Sequence, residues 1–300
     1  MEYPVLTGAV ALLAFICLVT LALFWPGKTD IQAQVRQPCH PVHLLIVLGS
    51  GGHTEEMLSM LRHAELDPEV YIRRTYVVSS GDAFSARKAV EYEKSIENSE
   101  KTGQDESKSR SYTIITVPRA RRVHQSFLTA PLTTLQCFGF CMLVLMGRHP
   151  DQLTLTAQSS SSRSPCPGYP DIILTNGPGT GVCVVVAARL LRLFDPLVCR
   201  ILPQARSDIP SSTFSKSNTS TYSGPESRSH SGPRDQRRGT RRYLRTIFIE
   251  SWARVTTVSL SGKILFPLVD RFLVQWEGLA GYSGWFGFGR KAEYVGTLLS

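Results

Sequence analysis

The run Leu48-Gly49-Ser50-Gly51-Gly52-His53-Thr54-Glu55-Glu56 places an imidazole directly behind three glycines in four positions. Glycine lets the backbone approach a ligand closely, and the free N–H groups at a helix start favour an anion such as phosphate. Gly49, Ser50, Gly51, Gly52 and Thr54 are therefore candidate ligands of a phosphate or pyrophosphate. The plainer alternative is that the glycines only make a tight turn. The imidazole of His53, beside such an anion, can take a proton from a substrate hydroxyl. Alternatively it only hydrogen-bonds within the turn. A second glycine turn, Asn176-Gly177-Pro178-Gly179-Thr180-Gly181, repeats the design, which adds Asn176, Gly177, Gly179 and Thr180 to the candidates. Arg119, Arg121, Arg122 and His124 gather cationic or titratable groups within one short loop. Such a loop clamps phosphate, rests on lipid headgroups, or is simply solvated.

Several chemistries are disfavoured. No Lys-Ser/Thr follows the first glycines, so they are not a P-loop. As a dinucleotide fingerprint Gly49-x-Gly51 lacks its third glycine, where Thr54 stands. No Asp-x-Asp pair occurs to hold a metal–nucleotide complex. The seven cysteines are odd in number and form no Cys-x-x-Cys pair, which argues against a disulfide framework or structural zinc and for a reducing compartment. Neither a cofactor nor a metal is predicted. The net charge of +9 is concentrated around Arg119–Arg122 and Arg234–Arg245, and no nucleic-acid module accompanies it. A membrane surface or a phosphorylated ligand is the expected partner rather than nucleic acid.

The positioning elements follow from the pattern of apolar residues. Leu44–Leu48 is a continuous apolar run, as a strand buried on both faces requires. It leads through the glycine turn into a helix with Met57, Leu58 and Leu61 on one side and Glu55, Glu56 and Arg62 on the other. Strand, glycine turn and helix form the first unit of a doubly wound parallel α/β sheet. Further strands are predicted at Thr75–Ser79, Tyr112–Val117, Asp171–Thr175, Leu197–Leu202, Thr246–Glu250 and Asp270–Trp276, the last of these ending the sheet. Helices are predicted at Ala83–Ile96, Val182–Phe194 and Ala253–Leu265. Because both glycine turns end parallel strands, they are expected on one sheet edge, facing one ligand.

Val5–Trp25 is uncharged and long enough to span a bilayer, which takes about twenty residues. Lys28 and Arg36 follow it and nothing basic precedes it, which predicts a single retained anchor with the main body in the cytosol. The chain thus divides into a luminal tip and anchor at 1–28, a linker at 29–42 and a cytosolic domain at 43–300. Polar segments at 97–111, 151–170 and 203–241 read as disordered insertions. A second uncharged stretch, Phe127–Gly147, is long enough to span but carries Pro131, Gln136 and three threonines. A helix on the membrane surface, or between sheet and bilayer, fits it as well, since a true second span would split the sheet across the membrane.

Taken together, residues 48–58, Pro118-Arg119-Ala120-Arg121 with Gln125-Ser126, Asn176–Thr180, Glu250-Ser251, Ser261-Gly262-Lys263 and Asp270–Trp276 resemble a known family. It is the membrane-anchoring subunit of the two-part UDP-N-acetylglucosamine transferase of dolichol-linked oligosaccharide synthesis. The resemblance implies a Rossmann-like acceptor-binding half of a split GT-B glycosyltransferase, whose donor-binding half is a separate cytosolic protein. It implies transfer of N-acetylglucosamine to dolichyl-pyrophosphate N-acetylglucosamine at the cytosolic face of the endoplasmic reticulum. It further implies that the C-terminal tail, with Tyr294, Val295, Gly296 and Leu298, docks that partner, and it raises His53 as a candidate base. Gly181 departs from the family turn, where Cys is expected.

Overall fold

The computed structural model describes residues 42–64, 66–67, 70–100, 111–121, 125, 130–158, 169–201, 244–284 and 291–297. The anchor at 1–28, the segment 203–241 and Leu298 lie outside them. The described residues build one seven-stranded, all-parallel sheet in the order β3-β2-β1-β4-β5-β6-β7. The strands are β1 (His43–Val47), β2 (Arg73–Ser79), β3 (Ser111–Val117), β4 (Ile172–Thr175), β5 (Arg245–Ile249), β6 (Arg271–Val274) and β7 (Glu293–Tyr294). The helices are α1 (Gly52–His63), α2 (Ala83–Glu100), α3 (Ala130–Leu145), α4 (Pro150–Gln158), α5 (Thr180–Ile201) and α6 (Leu260–Leu265).

Alternation along β1 divides the core. Leu44 and Ile46 pack with Tyr76, Val78, Met57 and Leu58 beneath α1 and α2. Leu45 and Val47 pack with Val77, Ile115, Ile173 and the inner faces of α3 and α5. A third cluster, around Phe248, Phe272, Leu265 and Phe266, joins α6 to β5 and β6. With helices on both faces and β1 flanked by strands that leave in opposite directions, the sheet is doubly wound and reverses direction between β1 and β4. Ligands of open α/β sheets bind at the strand carboxyl ends beside such a reversal.

Five segments differ from their sequence expectation. Residues 197–201 continue α5 rather than forming a strand; a short apolar run is equally compatible with either state, and here it extends a helix already under way. Within 253–265 only Leu260–Leu265 is helical. The Glu250 carboxylate accepts from the backbone N–H groups of Ser251 and Ser259, at 3.3 and 3.1 Å, and so folds the intervening residues into a closed loop. Part of the expected insertion 151–170 is the ordered helix α4. Pro150 stands in its first turn, and Gln152 reaches back to accept the His149 N–H at 3.2 Å, a reciprocal cap that the Ser/Thr-rich composition obscures. The segment 97–100 likewise belongs to α2. Finally, Asp270–Trp276 does not end the sheet, because β7 adds parallel to β6 at Val274↔Tyr294.

Candidate functional site

The two glycine turns meet at the reversal. Gly49 and Gly177 touch through their backbones: a Cβ on Gly177 would lie 3.0 Å from Gly49 Cα, and one on Gly49 would lie 2.7 Å from His53 Cβ. A methyl at either position would force its neighbours to shift. Gly51 precedes α1 with φ 61°, a backbone conformation that favours glycine. At Gly51 and Gly52 an added Cβ would meet nothing within 4 Å, so the start of α1 opens to solvent. Thr54 turns inward; its hydroxyl donates to Gly49 O and pairs with Ser85 Oγ at 2.6 Å, so it braces the turn rather than facing a ligand. Asn176 Nδ2 donates to His53 O at 2.8 Å and ties the second turn to the first. Thr180 Oγ1 pairs with Ser79 Oγ at 2.8 Å, joining the second turn to the end of β2. Gly181 lies against Thr175, whose Oγ1 would stand 2.3 Å from an added Cβ, and this accounts for glycine at that position.

The basic loop arrives on the same edge. Ala120 Cβ would be 3.6 Å from a Cβ on Gly179, and Arg119 Nε donates to Ser80 O at 2.9 Å. Arg121 reaches Gln125 O at 3.4 Å. The hydroxyls of Thr133 and Thr134 both donate to Ala120 O, at 2.9 and 3.0 Å, so this loop is pinned to the first turn of α3. Beside it Leu132 and Leu135 are 70% and 66% exposed. By length and composition Ala130–Thr154, with a mean hydropathy of 1.6, can cross a membrane. Yet the chain turns at Gly147 (φ 70°), and Cys137, Cys141, Val144 and Leu145 are buried in the protein core.

Sequence reasoning placed Glu56 on the polar side of α1, but the structure buries it. Its carboxylate accepts from Ser251 Oγ at 2.9 Å, from Gln275 Nε2 at 3.0 Å and from the Trp252 N–H, all beyond the carboxyl ends of β5 and β6. Burial alone would raise its pKa. His53, the Trp252 N–H, Ser251 and Gln275 outweigh burial and hold the group below the ordinary glutamate range. Glu250 behaves oppositely: burial pushes its pKa up, and its bonds with Ser259 and Ser251 only moderate the rise. A cleft of about 660 Å³ opens between α1 and the loop after β5, lined by Gly52, His53, Glu56, Arg62, Ser251 and Trp252 among others. Trp252 is half-exposed, tilted against Trp276 at 5.6 Å, and its carbonyl accepts from Trp276 Nε1 at 2.6 Å. Only the spacing of Glu56, three residues after His53 on a helix, signals this network in the sequence. Of the tail residues, Tyr294 and Val295 are exposed along the last strand, Val295 N–H donates to Val274 O at 3.1 Å, and Gly296 has φ 78°.

Fold and site define a doubly wound, parallel α/β protein with two facing glycine turns and a basic loop on one carboxyl edge. Comparison with known proteins narrows the class. The family model for oligosaccharide biosynthesis protein Alg14-like matches residues 44–298, and the chain belongs to that family. It is 51% identical to the UDP-N-acetylglucosamine transferase subunit alg14 of Aspergillus fumigatus over 81% of this chain and 100% of that protein. The subunit of the same name in Schizosaccharomyces pombe is 31% identical over 96% and 97% of the two chains. The Rattus norvegicus subunit is 28% identical over 88% and 93%. No solved structure matches the chain.

Proposed function

We propose that this chain is the membrane-anchoring, acceptor-binding subunit of a UDP-N-acetylglucosamine transferase complex. The complex adds the second N-acetylglucosamine to dolichyl-pyrophosphate N-acetylglucosamine in protein N-glycosylation, and the chain recruits a cytosolic catalytic subunit to the endoplasmic reticulum membrane. The observation that carries the acceptor site is the close backbone contact of the Gly49 and Gly177 turns at the sheet reversal. It supports a pyrophosphate held by the start of α1, with Arg119 and Arg121 neutralising its charge. The acceptor hydroxyl then stands toward His53. Its proton passes to the imidazole as the oxygen bonds the donor's anomeric carbon, and the bond from that carbon to UDP breaks. The Val5–Trp25 run anchors the chain once, with the domain on the cytosolic face. The exposed leucines of α3 rest on the bilayer, and Tyr294, Val295, Gly296 and Leu298 face the partner.

Purified full-length chain, assayed with UDP-N-acetylglucosamine and a dolichyl-pyrophosphate acceptor, is expected to be inactive alone and active once its catalytic subunit is added. Transfer by the chain alone would identify a self-sufficient glycosyltransferase. Failure of both Gly52→Val and His53→Asn to change the reconstituted rate, with the partner still bound, would reduce the chain to a scaffold.

A further inference from the structure

A histidine that takes a proton through one ring nitrogen needs an acceptor for the hydrogen on the other. That acceptor fixes the tautomer, orients the ring and stabilises the imidazolium once it forms. His53 Nδ1 is buried and makes no hydrogen bond, while a third of the side chain stays exposed. The group in front of Nδ1 is Glu56, whose Oε2 lies 3.8 Å away on the same face of α1. This is beyond hydrogen-bond range, but such pairs are commonly long in ligand-free sites and tighten when substrate arrives. The carboxylate is not free to swing out: Ser251, Trp252 and Gln275 hold it from the ends of two neighbouring strands. The histidine backbone is fixed from the other side by Asn176. The other titratable groups lining the cleft, Glu55 and Arg62, both stand on α1, and the facing segment offers Ser251, Trp252 and Ala253, none of which titrates. Behind that segment the Glu250 carboxylate is occupied by Ser251 and Ser259.

We propose that Glu56 is the positioning residue of His53: it receives the Nδ1 hydrogen and leaves Nε2 as the nitrogen that takes the acceptor proton. Glu56 itself exchanges no proton. The inference rests on His53 acting as the base. It assigns the Glu56 network, which ties α1 to β5 and β6, a role in the reaction besides packing.

The test is steady-state kinetics of the reconstituted, membrane-bound complex across pH, comparing the unaltered chain with Glu56→Gln, Glu56→Asp and His53→Asn. Glu56→Gln is expected to lower kcat at least about tenfold with little change in acceptor KM. Losing the carboxylate makes the imidazole easier to deprotonate, so the acidic limb of kcat/KM moves to lower pH. Glu56→Asp, which keeps a carboxylate one methylene back, shifts the limb in the same direction by less, and it serves if the Gln variant does not accumulate. The double variant His53→Asn/Glu56→Gln is expected to be no slower than His53→Asn. A slow His53→Asn beside a Glu56→Gln whose limb does not move overturns the positioning role and leaves the base intact. Should His53→Asn retain the full rate, the base reading itself fails, whatever Glu56 does.

Discussion

At the scale of single residues, the glycines of the two turns separate into those that shape the protein and those that face open space. Gly49 and Gly177 have backbone or Cβ atoms where a methyl would go, so Gly49→Ala must displace His53 and Gly177→Ala must push the turns apart. Each is expected to cost about 1–3 kcal/mol by denaturant unfolding. Gly52 has nothing within 4 Å of an added Cβ and begins a helix, so Gly52→Ala is expected to unfold within about 0.5 kcal/mol of the parent. If the acceptor pyrophosphate sits on that helix start, Gly52→Ala still raises acceptor KM in the reconstituted assay. An unchanged KM would move the anion away from the turn. The sequence announced all these glycines equally, because composition shows where backbone freedom is needed and not which atom claims the space. The inward placement of the Thr54 and Glu56 side chains is hidden in the sequence for a related reason. Their polar side chains turn inward to partners contributed by Ser85, Ser251 and Gln275, from 31 to 219 positions away along the chain.

At the scale of elements, strands with continuous apolar runs and both glycine turns were legible, because a parallel strand buried on two faces leaves few alternatives. The carboxyl half was less so. The loop from Ser251 to Ser259 carries helical spacing at Val255 and Val258, yet the buried Glu250 carboxylate organises it, and Ser259 caps the short α6 by accepting from the Gly262 N–H at 2.9 Å. The two carboxylates that fix this region give opposite pH signatures. The Glu56 pKa is lowered on folding, so its contribution is complete above the ordinary glutamate value and is lost as pH falls through the depressed one. The Glu250 pKa is raised on folding, so its contribution is present below the ordinary value and is lost as pH rises through the elevated one. In stability–pH profiles from denaturant unfolding, Glu250→Gln is therefore expected to flatten a decline on the alkaline side of the ordinary glutamate pKa. Glu56→Gln is expected to flatten a rise on its acidic side. The same slope change from both variants would contradict the assigned environments.

At the scale of the whole molecule, the edge that carries the glycine turns also carries the features suited to a membrane. The basic loop is tied by Thr133 and Thr134 to the start of α3, where Leu132 and Leu135 project outward. Exposed leucines flanked by arginines suit a bilayer surface, where apolar side chains enter the acyl boundary and guanidinium groups meet phosphates. An acceptor whose pyrophosphate stays at the headgroup level reaches the glycine turns only if the domain lies with this edge against the membrane. Replacing both leucines by glutamate removes apolar contact and adds like charge to an anionic surface, without touching the buried face of α3 around Cys137, Cys141 and Leu145. Leu132→Glu/Leu135→Glu is thus expected to leave the unfolding midpoint nearly unchanged. It raises KM about tenfold for an acceptor embedded in vesicles, the equivalent of about 1.4 kcal/mol of lost docking. For a short-chain, water-soluble pyrophosphate acceptor KM stays the same, because that acceptor does not depend on how the domain lies on the bilayer. Equal rises for both acceptors would assign these leucines to the acceptor pocket itself, and no rise for either would turn α3 away from the membrane.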